Sequence, residues 1–137
     1  MQIEVDFPGG VRVDAHFRGY TVHTDQAVRD GGTATAPSPF DLFLASTATC
    51  AGFYVLRFCQ QRELSTTGLR VTQRLETDPA TGHVTKLLID LRLPPDFPPK
   101  YAAAIIRAAE QCTVKKHLAQ APEFVVSVQR VGEGVAN

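Results

Sequence analysis

The chain has 137 residues, of which 44% are hydrophobic and 20% charged, with fourteen basic and fourteen acidic side chains. This length predicts a single domain, residues 1–137, because two hydrophobic cores would each be too small. The zero net charge argues against nucleic acid and anionic membrane as general partners. The alternating start MQIEVDFPGGVRVD lacks the features of a secretory signal, so we expect a cytoplasmic protein.

The first quarter of the chain alternates apolar and polar residues in three short runs, residues 2–7, 12–16 and 20–24. Pro8-Gly9-Gly10 and Arg18-Gly19 separate these runs and are typical of turns, so the pattern predicts a small antiparallel meander. Residues 25–38 contain glycine, proline and small polar residues without apolar periodicity. We therefore expect a loop there, and loops of this length often border functional sites.

A long helix is predicted from the sequence SPFD at residues 38–41 to about residue 62. Ser38, Pro39 and Asp41 occupy the N-cap, first and third helical positions, which is a capping-box pattern. Residues 42–56 carry no charge, and their apolar and small side chains occur all round the helix, which predicts burial on nearly all sides. The uncharged stretch is shorter than the ~20 residues of a membrane span, so we expect a core helix. A small chain has too little sheet of its own to surround a helix of ~35 Å, so we expect a second subunit to help cover it.

The second half of the chain predicts a hairpin, two helices and a last strand. Residues 69–76 and 84–93 alternate around a turn at residues 78–82, and Pro98-Pro99 precedes a helix over residues 100–112. A short helix over residues 114–119 and a strand over residues 124–131 follow. The fold class is therefore α+β with the order βββ-α-ββ-α-α-β, in which antiparallel sheets surround the buried central helix.

The three cysteines, Cys50, Cys59 and Cys112, are too few and too widely spaced for a secreted disulfide framework. Nine residues of helix turn a side chain by about 180° and raise it by roughly 13 Å, so Cys50 and Cys59 face opposite sides. No cysteine or histidine spacing is typical of a metal site, and we expect no metal. Spacing alone leaves each cysteine open to two interpretations, as a buried apolar residue or as a reactive thiol.

Two linked motifs favour chemistry at Cys50 and Cys112. The stretch PSPFDLFLASTATC, followed about sixty residues later by AAEQCTVKKHL, resembles the OsmC/Ohr family of organic hydroperoxide resistance proteins over nearly the whole chain. The matching positions are Ser38-Pro39, Leu42, Ala45 and Cys50, then Cys112-Thr113-Val114.

The resemblance implies an intertwined homodimer and a cofactor-free reaction. In that reaction Cys50 is the peroxidatic thiolate, which attacks an organic hydroperoxide and becomes a sulfenic acid. Cys112 then resolves the sulfenic acid as a disulfide, and an external dithiol reduces the disulfide. The implied role is defence against oxidative stress.

The groups that would activate Cys50 depart from the family pattern. Family members supply an arginine from the N-terminal strands, held by a glutamate ten residues before the first cysteine, and this position is Phe40 here. The nearest acid is Asp41, which is also the capping-box partner of Ser38, and its placement resembles the YhfA-like branch of the family. Arg18 fits the arginine role best. Arg12 and Arg29 are its competitors.

Phe40 and Phe43 are candidates for an apolar pocket beside Cys50, which would suit a fatty or aryl hydroperoxide. The principal hypothesis is therefore a thiol-dependent peroxidase for organic hydroperoxides. An alternative, favoured by Phe40 at the acid position, is an OsmC-like dimeric binding protein with an apolar pocket and no peroxidase activity. A third hypothesis, a structural interaction module, predicts ordinary thiol pKa values and no pocket.

Overall fold

The computed structural model of the protein describes residues 1–130. Within them lie five strands and three α-helices, together with short 3-10 turns at Val28–Asp30 and Pro99–Tyr101. The strands are β1 (Glu4–Gly9), β2 (Arg12–Phe17), β3 (Tyr20–Thr24), β4 (Arg70–Thr77) and β5 (Val84–Arg92). The helices are α1 (Pro39–Gln60), α2 (Ala102–Ala109) and α3 (Thr113–Ala119). The predicted α+β class is confirmed, and the order of elements agrees with the prediction up to the last strand.

Strands β1, β2 and β3 form the predicted antiparallel meander. Arg18 and Gly19 make a two-residue turn between β2 and β3, and both have the positive φ that a tight hairpin turn requires. The register places Val5, Ala15 and Val22 side by side on one face of the sheet. Because side chains alternate along a strand, the opposite face is polar.

The loop between β3 and α1 is organised around the buried carboxylate of Asp25. Asp25 accepts hydrogen bonds from the backbone N–H groups of Gln26, Thr33 and Thr35 and from both threonine hydroxyls, at 2.7–3.1 Å. These bonds, that from the Thr35 N–H foremost, hold the pKa of Asp25 well below its usual range. Gly32 lies in the same loop with no room for a Cβ, which would overlap the carbonyl oxygen of Gln26.

Helix α1 begins with the predicted capping box at Ser38. The Ser38 hydroxyl accepts from the Asp41 backbone N–H at 3.1 Å, and the Asp41 carboxylate accepts from the Ser38 backbone N–H at 2.9 Å. Both donors would otherwise lack a partner at the helix start. The helix ends within two residues of the predicted position.

The hydrophobic core lies at the C-terminal half of α1. Its buried members come from α1, from α2 and from the segment between β5 and α2: Val55, Phe58, Cys59, Phe97 and Ile105. Apolar residues of the β4–β5 hairpin pack against this cluster from the other side. Cys59 is fully buried in this cluster.

The prediction that α1 is buried on nearly all sides is wrong for a single chain. Phe40 and Phe53 on this helix are 52% and 50% exposed, because α2, α3 and β4 pack on only part of its surface. By length and composition alone α1 could cross a membrane, but core helices of soluble proteins have the same properties.

The C-terminal region departs from the prediction at two places. The second helix ends at Ala109 rather than at residue 112, and Cys112 is instead the N-cap of α3. The last strand was predicted over residues 124–131, but residues 124–130 are exposed and have no regular secondary structure, so the prediction is wrong there; residue 131 lies outside the described residues. A strand needs a neighbour to bond its backbone, and no strand of residues 1–130 pairs with this segment.

A candidate two-thiol site

The fold brings Cys50 and Cys112 together from separate helices. Cys50 lies near the middle of α1, Cys112 directly precedes α3, and their thiols are close enough for each to shift the pKa of the other. Cys112 is 2% exposed, and its sulfur accepts from the Lys115 backbone N–H at 3.4 Å. Cys50 is partly exposed, and both cysteines are free thiols. The partly exposed Cys50 thiol therefore lies next to the buried Cys112 thiol.

The two thiols have opposite pKa shifts. Burial raises the pKa of Cys50, but hydrogen bonds from the Val114 N–H, the Cys112 thiol and the Thr113 N–H outweigh it, so this pKa is lowered overall. The pKa of Cys112 is raised, first by burial and then by the neighbouring Cys50 sulfur, although the Lys115 N–H opposes the shift. Cys50 is thus the sulfur that more readily becomes a thiolate, and Cys112 is the thiol that donates to it.

Cys59 lies apart from this pair in the hydrophobic core. Burial raises its pKa, and Arg62 opposes the shift only in part. Arg62 stacks over the rings of Phe58 and Tyr101, at 3.8 and 5.6 Å from the ring centroids. Cys59 is therefore a packed core residue, in contrast to Cys50.

A cavity of about 550 Å³ lies between β5 and α2, with Cys112 in its wall. Most of its lining is aliphatic and includes Leu87, Ile89, Leu91, Ile105 and Ile106. Its polar lining consists of Thr47, Asp90, Glu110 and Lys115. The cavity can hold an apolar molecule with one end near Cys112.

A hydrogen-bond network lies one helical turn before Cys50 and was not predicted from the sequence. The Thr47 hydroxyl bonds to the Gln73 side-chain oxygen at 2.7 Å, and the Gln73 amide donates to the Leu44 carbonyl at 2.9 Å. These bonds join β4 to α1 beside the cavity. One signal was available, because Gln73 occupies the same strand face as Val71 and Leu75 and is polar where its neighbours are apolar.

The candidate activating groups lie apart from the thiols in the described residues. Arg18 is exposed in the β2–β3 turn, and Arg12 contacts the Pro8 carbonyl at 3.4 Å. Arg29 pairs with Asp30 on the surface at 3.4 Å. Within residues 1–130, no arginine is among the groups that shift the pKa of Cys50.

Asp41 is bonded to Ser38 rather than to an arginine. The Ser38 hydroxyl donates to the Asp41 carboxylate at 2.7 Å, and this bond, with that from the Ser38 N–H, lowers the pKa of Asp41. The roles of Arg18 and Asp41 at the site stay predictions.

Phe40 and Phe43 stack on each other near the start of α1, with ring centroids 5.5 Å apart. Neither lines the cavity beside Cys112, so their role in a substrate pocket stays a prediction. Within residues 1–130, no group of three or more cysteine, histidine or acidic side chains is arranged to hold a metal ion.

These features define a small α+β protein in which a long helix and a short one bring two reduced cysteines into contact. The family model described as OsmC-like protein matches residues 31–127, and the chain belongs to this family. The predicted resemblance is therefore confirmed, while assignment to the YhfA-like branch stays a prediction. A search of curated proteins finds no match.

Solved structures have the same fold. One is the crystal structure of a proposed osmotic stress induced and detoxification response protein from Psychrobacter arcticus 273-4. It is 25% identical, with a TM-score of 0.67 over 85% of this chain and 86% of that chain. Another is an organic hydroperoxide resistance protein OsmC from Legionella pneumophila, also described as a predicted redox protein and regulator of sulfide bond formation. It is 20% identical, with a TM-score of 0.51 over 86% of this chain and 89% of that chain, and supports the fold.

Proposed function

We propose that this protein is a thiol-dependent peroxidase that reduces organic hydroperoxides in defence against oxidative stress. The observation that carries the proposal is the contact between Cys50 and Cys112, in which the pKa of the more exposed sulfur is lowered and that of the buried sulfur is raised. A peroxidatic cysteine must be an accessible thiolate, and its resolving partner must be a thiol within reach. Membership of the OsmC-like family supports the same role.

The first step oxidises Cys50. Its thiolate attacks the terminal oxygen of the hydroperoxide, so that a sulfur–oxygen bond forms and the oxygen–oxygen bond breaks. Two electrons pass from sulfur to the peroxide, Cys50 becomes a sulfenic acid, and the alkoxide takes a proton from water to leave as the alcohol. The amides of Thr113 and Val114 favour the reactive thiolate before attack.

The second step joins the two sulfurs. Cys112 attacks the Cys50 sulfenic acid, a disulfide forms, and the sulfur–oxygen bond breaks, so that hydroxide and the thiol proton leave as water. An external dithiol then reduces the disulfide through a mixed disulfide and is itself oxidised to a disulfide. The cycle uses the two protein thiols and the external dithiol, and it needs no bound cofactor.

The cavity beside Cys112 supports an organic substrate over hydrogen peroxide. Binding an apolar substrate against the aliphatic lining removes apolar surface from water, which is favourable. Hydrogen peroxide has no apolar surface to bury. Lys115 and Glu110 provide polar groups at the same cavity. We expect bulky alkyl and aryl hydroperoxides to react faster than hydrogen peroxide.

The working form in this proposal is a homodimer in the cytoplasm, where reducing conditions keep the cysteines as thiols. The exposed apolar residues of α1, Phe53 among them, and the exposed apolar face of the meander, with Phe7 79% exposed, support a second copy as the covering partner. In such a dimer the meander of one copy lies over α1 of the other. In this arrangement Arg18 of one copy can approach the thiol site of the other copy and pair with Asp41 there. Neither contact is made within one chain.

Turnover of cumene hydroperoxide with dithiothreitol tests the proposal. Cys50→Ser is expected to abolish turnover. Cys112→Ser, treated with peroxide without dithiothreitol, should complete one turnover and accumulate the Cys50 sulfenic acid. Cys59→Ser is the matched control, because Cys59 is buried away from the pair, and its rate should stay near that of the original protein. Unchanged turnover in Cys50→Ser would exclude Cys50 as the peroxidatic residue.

Mass spectrometry after one equivalent of peroxide separates the peroxidase from a binding protein. The peroxidase predicts a Cys50–Cys112 disulfide, whereas two persistently free thiols indicate a binding protein of the same fold. Iodoacetamide alkylation adds a pH test, since a lowered pKa gives Cys50 more thiolate than an ordinary thiol at the same pH. Cys50 in the folded protein should therefore be alkylated at a lower pH than Cys112 in the denatured chain, which serves as the ordinary thiol.

A further inference from the structure

A hydrogen bond between two hydroxyl groups joins α1 to α3 beside the thiol pair. The Tyr54 hydroxyl and the Thr113 hydroxyl are 3.0 Å apart, and either can donate. Tyr54 comes four residues after Cys50, which is one helical turn along the same face of α1. Thr113 directly follows Cys112 in the chain, and its backbone N–H is close enough to Cys50 to help lower the pKa of that thiol.

We propose that Tyr54 and Thr113 are a positioning pair that holds the Cys112–Thr113–Val114 segment against Cys50. The inference rests on the function proposed above and adds two residues to it. Neither side chain reacts with peroxide. Their bond sets the distance between the sulfurs and keeps the amides of Thr113 and Val114 directed at Cys50.

Helix α3 depends on such a contact because little else fixes it. It has only seven residues, and an isolated helix of that length is unstable in water. Its N-cap acceptor is the Cys112 sulfur, which is a weak acceptor and the same atom that must react with Cys50. During the reaction this cap bond is disturbed, whereas the Tyr54–Thr113 bond can persist.

The position of the pair also suits the chemistry. Tyr54 extends from a helix of 22 residues whose far end is fixed in the core, and its ring packs edge-on against Phe53 at 5.5 Å. The Tyr54–Thr113 bond thus joins the short helix α3 to the long helix α1 within one helical turn of Cys50. Holding two reacting groups in place raises the effective concentration of one at the other.

Variants that remove one hydroxyl and keep the side-chain shape test the pair. Tyr54→Phe and Thr113→Val each delete the bond, Thr113→Ser keeps it, and Tyr101→Phe is the matched control in a ring that packs on Phe58 in the core. The equilibrium constant of the Cys50–Cys112 disulfide against glutathione should fall about fivefold in Tyr54→Phe, as expected for the loss of one neutral hydrogen bond. Cys50 alkylation should move to higher pH in the same variant.

Thr113→Ser and Tyr101→Phe should keep the original values, and the double variant Tyr54→Phe/Thr113→Val should be no worse than either single variant. The inference is overturned if Tyr54→Phe changes neither the disulfide equilibrium nor the alkylation profile more than Tyr101→Phe does. It is also overturned if Thr113→Ser behaves like Thr113→Val. The disulfide equilibrium and the alkylation profile are both measured without peroxide, so they test the positioning pair separately from the proposed peroxidase. The pair can be contradicted while turnover still depends on Cys50, and it can be supported while turnover is absent.

Discussion

The C-terminal half of α1 and the N-terminal meander are both regular, hydrogen-bonded parts of the protein, but only the first is buried by its own chain. Ile105 packs on α1 with 0% of its surface exposed, whereas Val5, at the centre of the apolar face of the meander, is 55% exposed. The core is buried because α1, α2 and the β4–β5 hairpin pack around it. The meander is a single layer, and its apolar face stays in contact with water.

This difference bears on the thiol site. The two sulfurs and the cavity lie on helices and strands that pack against one another within one chain. Arg18 lies in the incomplete part, at a turn of the meander. We therefore expect damage to the core to disable the thiol pair directly, and changes to the meander to act only through a second copy.

The largest expected effect comes from Ile105→Ala in the closed core. Removing a fully buried side chain leaves a cavity, and such changes cost about 2–5 kcal/mol of unfolding free energy. Ile106→Ala is the matched control, because the neighbouring residue on the same helix is 54% exposed. Urea denaturation of both variants measures the difference. Equal losses would mean that the core is not centred on Ile105.

Local elements of the fold were predictable from the sequence because their causes are local. The capping box at Ser38, the alternation of β4 and β5 and the glycine-containing turns each depend on a few adjacent residues. The end of α2 at Ala109 and the change of direction at Cys112 were missed, because apolar spacing continued through residue 112. The strand predicted from residue 124 onwards is absent from residues 124–130 and shows the converse limit, since alternation predicts a strand but supplies no partner for it.

The site was predictable only in its sulfurs. Cys50 and Cys112 stood out through two motifs that resemble a known family, but their contact results from α2 and α3 folding back on α1. The Tyr54–Thr113 and Thr47–Gln73 bonds join residues 59 and 26 positions apart. The polar Gln73 between apolar residues of β4 indicates one member of one pair, but no local pattern identifies the partners, because each residue alone is common in a helix, strand or turn.

The loop that connects the two regions should be next in sensitivity, through Gly32→Ala. A Cβ at Gly32 would overlap the Gln26 carbonyl oxygen, so the loop around Asp25 must shift, and overpacking of this kind costs about 1–3 kcal/mol. Gly52→Ala is the control, because a Cβ at Gly52 meets open space within α1 and should stabilise the helix by up to about 1 kcal/mol. Thermal denaturation of the two variants should therefore give shifts of opposite sign.

A smaller loss is expected from Ser38→Ala at the start of α1. The substitution removes the hydroxyl that caps the Asp41 N–H, and N-cap substitutions of this type cost about 1 kcal/mol. Ser127→Ala, in an exposed segment without regular structure, is the control and should change stability very little. A larger loss in Ser127→Ala than in Ser38→Ala would show that the C-terminal segment, and not the cap, contributes to stability.

The smallest expected effect on the stability of one chain is that of Val5→Ser in the meander, and it tests the comparison most directly. At a concentration where the chain is monomeric, the change should stay within about 0.5 kcal/mol, as for other exposed positions. In the proposed dimer Val5 becomes buried, and burying a valine side chain is worth about 1.5–3 kcal/mol, so sedimentation should show a dimer weakened at least about tenfold. Glu4→Ser, on the opposite face of the same strand, should leave the dimer unchanged. If both variants dimerise like the original protein, the apolar face of the meander is not the interface, and the route proposed for Arg18 to the thiol site is lost while the contact between Cys50 and Cys112 stands.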